Sequence, residues 1–247
     1  MVQVPRELRA EGLVTRLAKQ GESNKILTLL TPNGRMSVIL YRAHGSAKNK
    51  TELSAVAQPF CYADFQLQYG AKHISSEDSL MHVRDADIIE NFYNLRLSIE
   101  KLEIATQICR LAERTSMPNT DCTAPLRLLL NTLHIIENVV PNPPDTTQLT
   151  LIEAIFRLRY MCEIGYMFDP ASFAAQNKNI LPPGGTNEPE PAEKTQTGGA
   201  SERGMQDALT HIVSCPISRL YNVKSSPATT LSLSRLAEYF VKKTCNL

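Results

Sequence analysis

Residues 25–42 have the sequence KILTLLTPNGRMSVILYR, and this stretch decides the fold of the first part of the chain. Lys25–Thr31 and Arg35–Arg42 are short runs of apolar and β-branched residues, which favour β-strands. Pro32-Asn33-Gly34 lies between them and is a strong hairpin signal. The stretch therefore predicts two antiparallel strands that are joined by a tight turn.

Three more strands are predicted around this hairpin. Residues 10–17 form a candidate strand before it, and a turn-prone Gln20-Gly21-Glu22-Ser23 segment follows that strand. In residues 61–69 apolar and polar side chains alternate, as in a half-buried strand, and a fifth strand is predicted within residues 72–83. Five short strands in about eighty residues predict a small closed barrel, because closure removes the exposed edges of so small a sheet.

From Asp87 onward the spacing of apolar residues changes from two to about three and a half, which predicts helices. The fold class is therefore α+β: an N-terminal five-stranded OB-fold barrel at residues 1–84, and an all-α helical bundle at residues 85–247. The bundle contains a Pro- and Gly-rich insertion at about 177–203, whose composition favours a flexible segment. The predicted helices are a long one from Asp87 to Ala112, one from Thr123, one from Thr146 or Thr147 to about Tyr166, and short ones at Gly204–Cys215 and Leu233–Thr244.

Positive charge is concentrated in the predicted barrel. Residues 1–72 contain ten basic and five acidic side chains, whereas the whole chain has a net charge of only +1. Such asymmetry indicates a polyanionic partner for the barrel, such as a nucleic acid; the alternative is that these side chains only solvate a small domain. The candidate phosphate contacts are Arg16, Lys19, Lys25, Arg35, Arg42, Lys48, Lys50 and Lys72, and the candidate base-stacking residues are Tyr41, Phe60 and Tyr62.

Several short segments resemble the RecO family of recombination mediators, in its order and at its spacing. They are Glu11-Gly12-Leu13-Val14, the run Gly21–Thr31, Asn33-Gly34-Arg35 and Ala57-Gln58-Pro59-Phe60. Further along, Phe156-Arg157-Leu158-Arg159 followed by Gly165-Tyr166 is similar to the central-helix signature of that family. The resemblance covers residues 8–170 well and residues 205–243 loosely.

The resemblance implies a protein that binds single- and double-stranded DNA, anneals complementary strands and helps to load RecA onto DNA coated with single-strand-binding protein. The partners it implies are RecR, the acidic C-terminal tail of single-strand-binding protein and, indirectly, RecA. The resemblance places the tail at Phe156 and Arg159. From the residues alone, Arg157 and Arg159 are either structural or partner contacts.

Other function classes are judged from what the sequence contains. It has no motif of a serine hydrolase, a zinc protease or a P-loop, so we expect a protein that is not an enzyme. An RNA-binding protein and a protein-interaction adaptor remain as alternatives, because OB-folds serve both. No long apolar run or signal-peptide pattern is present, so we expect a cytoplasmic, nucleoid-associated protein without a membrane partner.

No cofactor is expected, and zinc in particular is not. Many RecO-like proteins carry a four-cysteine zinc module where this chain has its insertion, but no cysteine occurs between Cys162 and Cys215. A structural zinc site needs four ligands at short spacings. Cys61, Cys109 and Cys162 are instead predicted to be small buried apolar residues.

The first prediction concerns this metal. Protein purified without a metal-affinity tag should contain far less than one zinc per chain by elemental analysis. A chelator should leave the melting temperature unchanged, because no bound zinc contributes to the free energy of folding. Stoichiometric zinc would contradict this prediction and would require ligands gathered from distant positions.

Overall fold

The structure is a computed structural model that describes residues 7–21, 24–41, 53–69, 80–141, 143–166, 169–170, 172–173, 197–223 and 225–245. For residues 197–203 it describes the backbone alone. Several sequence predictions therefore lie outside the described residues: Arg42, Lys48, Lys50, Lys72 and positions 177–196 of the insertion.

The N-terminal part is a closed five-stranded barrel, as predicted, with the strand order β1-β2-β3-β5-β4. All neighbouring strands are antiparallel except β3 and β5, which are parallel where Val38 and Ile39 face Met81 and His82. The register of β1 shifts between Val14 and Arg16, and such a bulge bends a strand so that it can pair with two neighbours. The strands are β1 (Glu7–Gln20), β2 (Asn24–Thr31), β3 (Gly34–Leu40), β4 (Tyr62–Gln68) and β5 (Met81–Glu90).

The fifth strand and the start of the first helix differ from the prediction. β5 occupies Met81–Glu90 and so shares only residues 81–83 with the predicted span 72–83, of which residues 72–79 lie outside the described part of the chain. Ile88 pairs with Ala63 of β4 instead of starting a helix. Ile88 is 42% exposed, so its apolar side chain fitted the helical spacing only by chance. The chain instead makes a 3₁₀ turn at Tyr93–Leu97, and the first α-helix begins at Ile99.

Five α-helices follow within the described part of the chain. The start of α2 at Thr123 is as predicted, whereas α3 is capped by Asp145, whose carboxylate accepts from the Thr147 amide at 2.8 Å. α5 begins at Pro227, earlier than the predicted start at Leu233, and Ser226 caps it. The helices are α1 (Ile99–Thr115), α2 (Thr123–Asn138), α3 (Thr146–Glu163), α4 (Thr197–Ser214) and α5 (Pro227–Cys245). None of them is long and apolar enough to cross a membrane.

The chain forms two compact units. The first comprises residues 1–94 and 109–127, and the second comprises residues 95–108 and 128–247. The division passes through α1 and α2, so each of these helices contributes residues to both units. The sequence-based boundary after residue 84 falls inside β5.

In the first unit, residues 109–127 cover the outward face of β1, β2 and β3. Leu13 and Leu30 face each other across β1 and β2, lie outside the barrel's own core and are nevertheless 0% exposed. Hydrogen bonds tie the strands to this covering segment: the Cys122 amide donates to the Pro32 carbonyl at 2.7 Å, and Arg35 donates to Met117 at 3.4 Å. The barrel is therefore completed by residues that lie far along the sequence.

The second unit is organised around α3, which is the buried helix that the sequence predicted. Phe156 and Tyr160 are both 0% exposed, and their rings stack at 5.2 Å. α3 packs mainly against α5, and additionally against α4. Cys162 on α3 is half-buried, whereas Cys61 and Cys109 are buried as predicted.

At the C-terminal ends of three helices, backbone carbonyls accept hydrogen bonds from a basic side chain that lies elsewhere in the chain. The last carbonyls of a helix lack partners within the helix, and a nearby cation stabilises them. The Arg35 guanidinium donates to the Glu113 carbonyl of α1 at 3.2 Å, and the buried Lys101 ammonium donates to the Val140 carbonyl just after α2 at 2.6 Å. Arg159 donates to the Ile212 and Val213 carbonyls of α4, at 3.0 and 2.5 Å.

The second prediction concerns Gly34, which has a φ of +96°. A Cβ at this position would lie 2.1 Å from the Met117 carbonyl oxygen, so Gly34→Ala forces the covering segment away from the barrel. We expect a loss of unfolding free energy of about 3 kcal/mol or more, measured by urea denaturation. Gly21→Ala is the control: its φ is +63° but no described atom lies within 4 Å, so about 1 kcal/mol should be lost. Equal losses would contradict the proposed contact.

The third prediction tests the cap on α4. Arg159→Met leaves two carbonyls and the Glu163 carboxylate without their donor, which should lower the unfolding free energy by about 3 kcal/mol. Arg157→Met is the matched control, since Arg157 lies on the same helix and is similarly buried, but its partners within the described residues are the Glu153 and Gln107 side chains and no helix end. Its replacement should cost about 1 kcal/mol. If urea denaturation gave the same loss for both variants, the cap would not be what makes Arg159 important.

Candidate nucleic-acid interface

Two predicted phosphate contacts meet where β1 ends and β2 begins. Lys19 lies directly opposite Lys25 in the antiparallel pair of β1 and β2. Lys25 also lies opposite Leu40, at the end of β3. Lys19 is exposed and Lys25 is half-buried. The register therefore brings two ammonium groups to one end of the barrel sheet.

This lysine pair is unfavourable in isolation. Like charges that are directly opposed in an antiparallel ladder repel each other, and neither lysine has a carboxylate within 4 Å in the part of the chain that the structure describes. A bound anion would relieve the repulsion. The pair therefore has the electrostatic character of an anion site, and phosphate is the natural ligand for it.

Tyr41 directly follows β3, at the same end of the barrel as this pair. Its side chain is 39% exposed, and its ring meets the His82 ring edge-on at a centroid distance of 6.0 Å. Strand alternation puts this side chain on the opposite face of the sheet from Leu40 and Lys25. An exposed ring at the basic end of the barrel suits base stacking. The next residues in the sequence include Arg42, Lys48 and Lys50, which lie outside the described residues.

Two other predicted phosphate contacts have partners within the protein. Arg16 pairs with the Glu113 carboxylate at 3.1 Å, although its side chain remains 66% exposed. Arg35 is half-buried and caps α1 through the Glu113 carbonyl. The Thr15 hydroxyl also donates to the Glu113 carboxylate, at 3.3 Å. Glu113 therefore binds three barrel residues on the covered face. These contacts argue against Arg35 as a phosphate contact and weaken the case for Arg16.

Two of the three predicted stacking residues are used otherwise. Phe60 is only 4% exposed, and its amide donates to the Val14 carbonyl at 2.8 Å with the backbone at a φ of +66°. Its burial argues against base stacking. The Tyr62 hydroxyl donates to the Glu11 carboxylate at 2.6 Å. Partial burial is the larger cause, and this hydrogen bond the smaller one, that raises the pKa of Tyr62 above its usual value.

The two residues predicted to contact the tail of single-strand-binding protein also have partners within this chain. Phe156 is fully buried in the helical core, and Arg159 is bound to Glu163 at 2.8 Å as well as to α4. The side chain of Arg159 is only 16% exposed. Of the two alternatives that the sequence left open for Arg159, the structure supports the structural one, and Phe156 is not available to a partner in this conformation.

The barrel carries an acidic row that the sequence analysis did not identify. Glu11 of β1 lies opposite Asp64 of β4, and Asp64 lies opposite Asp87 of β5. Arg9 binds Asp64 at 2.7 Å, and that hydrogen bond raises the pKa of the guanidinium. The three carboxylates are more than twenty residues apart in sequence, so only the strand register brings them together. This face repels phosphate.

Among the described residues, no group of three or more His, Cys, Asp or Glu side chains is placed to hold a metal ion. The candidate interface consists of Lys19, Lys25 and Tyr41, and it offers charge and an aromatic ring.

The sequence matches known proteins along most of its length. Residues 5–92 match the family model described as the recombination protein O N-terminal domain. A DNA repair protein RecO from Acetivibrio thermocellus is 24% identical over 96% of this chain and 91% of its own length. One from Dehalococcoides mccartyi is 27% identical over 89% of this chain and 83% of its own length. A third, from Bacillus velezensis, is 46% identical over a shorter stretch, 24% of this chain and 23% of its own. Through its barrel and these matches, the chain is similar to DNA repair proteins of the RecO family over most of its length.

Proposed function

We propose that this protein is a recombination mediator that binds single- and double-stranded DNA, anneals complementary strands and assists the loading of RecA onto DNA coated with single-strand-binding protein. The observation that carries the proposal is the opposed pair Lys19 and Lys25, which lies at the same end of the barrel as the exposed ring of Tyr41. The family match of residues 5–92 supports DNA as the polyanion.

Binding at this end of the barrel uses charge and stacking. The lysines neutralise phosphates of a strand, while Tyr41 stacks on an unpaired base. Base pairing then supplies the driving force for annealing, so the protein only has to reduce the repulsion between two strands. We accordingly propose that the protein is not an enzyme, and annealing should proceed without a nucleotide cofactor.

The acidic row restricts where DNA lies on the barrel. Glu11, Asp64 and Asp87 line one outward face of β1, β4 and β5, and residues 109–127 cover the outward face of β1, β2 and β3. A strand that avoids both surfaces passes over the end that holds Lys19 and Lys25. The path of the DNA strand over the barrel is therefore determined by the repelling acidic row and the covering segment as much as by the attracting lysine pair.

We further propose RecR, the tail of single-strand-binding protein and, indirectly, RecA as partners, and an association with the nucleoid. The family matches support these partners in general terms only. Because Arg159 caps α4 and Phe156 is buried, we place the tail on another surface of the protein.

The fourth prediction tests the interface by fluorescence anisotropy with single-stranded DNA, duplex DNA and RNA over a range of salt concentrations. Four to six phosphate contacts would give a log–log salt slope of roughly −3 to −4 for single strands. Lys19→Glu with Lys25→Glu should weaken DNA binding and should make the slope shallower by about 1.4, the contribution of two phosphates.

The control is the double variant Arg9→Glu with Arg84→Glu. It changes the charge of the barrel by the same amount, but both arginines lie among carboxylates, since Arg9 binds Asp64 and Arg84 binds Glu7. DNA affinity should change much less than in the lysine variant. A flat salt response, equal losses in both variants, or a clear preference for RNA would each refute the proposal as stated.

A further inference from the structure

A second basic and aromatic surface lies on α5, in the unit that does not contain the barrel. Leu231, Arg235, Tyr239 and Lys243 are spaced four residues apart, so they follow one another along one side of the helix. Leu231 and Tyr239 are 47% and 39% exposed, and both basic side chains are exposed. Lys242 is also exposed and lies on the same side. We call these five residues the α5 row.

The Tyr239 ring is held within this row by a cation. The Lys243 ammonium lies 5.6 Å from the ring centroid, within the range of a cation–π contact. The opposite side of α5 is buried, with Leu233, Ala237 and Val241 at 5% exposure or less. The helix is therefore fixed by its apolar side, and the row faces solvent on a rigid support.

The charge of the row is unusual for its surroundings. Residues 73–247 contain sixteen basic and twenty acidic side chains, which gives a net charge of −4. α5 reverses this balance with three basic residues and one acidic residue, Glu238. A positive surface within an acidic half of the chain indicates an anionic partner for this helix in particular.

The spacing fits a nucleic-acid strand. Arg235 and Lys242 are seven residues apart, which is about 10 Å along a helix with a rise of 1.5 Å. A strand that carries one phosphate per nucleotide can therefore bring a separate phosphate to each of these two side chains. Tyr239 lies between them, where a base could stack on its ring. The row thus offers charge, ring and charge in succession, and the exposed Glu238 lies on the same side, three residues after Arg235 and four before Lys242.

We propose that the α5 row is a second single-strand binding site, which holds the complementary strand while the barrel holds the first. This inference rests on the proposed annealing function and deepens it, because two strands held by one chain meet more often than two strands that are free in solution. With a single site, the second strand would have to arrive from solution. Two sites on one chain instead raise the local concentration of each strand around the other.

The competing occupant is an acidic peptide. A peptide that ends in apolar residues needs a pocket next to a basic group, whereas the α5 row lies along the convex surface of a helix. A strand laid along the row uses Arg235, Tyr239 and Lys242 at once. The surface therefore favours nucleic acid.

The test compares strand stoichiometry and annealing rate. Arg235→Gln with Lys242→Gln should reduce the number of short oligonucleotides bound per chain from two to one, measured by sedimentation at low salt. The oligonucleotide must be too short to reach both sites. The annealing rate of complementary strands, followed by fluorescence transfer, should fall about fivefold or more, because each of the two lost contacts neutralised a phosphate.

A matched control adds the same negative charge elsewhere in the same unit. Gln206→Glu with Thr210→Glu changes two exposed positions of α4, and both stoichiometry and annealing rate should stay as in the unaltered protein. Tyr239→Ala should slow annealing by about five- to tenfold through lost stacking, and Tyr239→Phe should restore the rate. These changes are at exposed positions, and circular dichroism should show that each variant is folded.

The outcomes separate this proposal from the proposed function. If the lysine variant of the barrel loses DNA binding but the α5 variant still binds two oligonucleotides and anneals normally, the α5 proposal is wrong and the barrel function stands. If the α5 variant instead loses only the binding of an acidic peptide, the row is a protein-docking surface and the proposal is again overturned. If the unaltered protein binds no DNA, the proposed function itself fails.

Discussion

The structure depends on basic side chains that satisfy the carbonyl ends of helices far from them in sequence. Arg35, Lys101 and Arg159 each donate to carbonyls at or just beyond the C-terminal end of a helix. A carbonyl buried without a donor costs about 1–3 kcal/mol, and the positive charge also compensates the helix dipole. Burial lowers the pKa of the Lys101 ammonium, yet its two carbonyl contacts keep it well coordinated. Each of these side chains therefore attaches the end of a helix to another part of the chain through hydrogen bonds and charge instead of through apolar packing.

This use of basic residues explains what the sequence predicted and what it did not. The hairpin at residues 25–40, the closed barrel and the buried helix α3 follow from patterns of neighbouring residues, which sequence displays directly. The role of Arg35 does not, because its partner Glu113 is 78 positions away. Counting charges gave ten basic side chains in residues 1–72 and eight candidate phosphate contacts among them, whereas the described structure pairs two of the eight, Arg16 and Arg35, with Glu113. Phe60 and Phe156 have the chemistry of contact residues, and only their burial shows otherwise.

The surface of the barrel is consequently divided into regions of different electrostatic character. The acidic row runs across three strands through register alone, and the lysine pair arises in the same way at the end of β1 and β2. Neither feature has a local sequence signature, since each joins positions from different strands. The net charge of the segment indicated the kind of partner, and the strand register indicates where that partner can lie.

The covering of Leu13 and Leu30 by residues 109–127 has a consequence for biosynthesis. A chain that emerges from the ribosome presents the whole barrel sequence before the segment that shields its outer apolar face. During that interval Leu13 and Leu30 are open to solvent and to other nascent chains, so the early barrel is a target for chaperones and for aggregation. A premature stop codon shortly after residue 94 would make this exposure permanent. Such a fragment would have every strand of the barrel and would still be degraded more readily than the full-length protein.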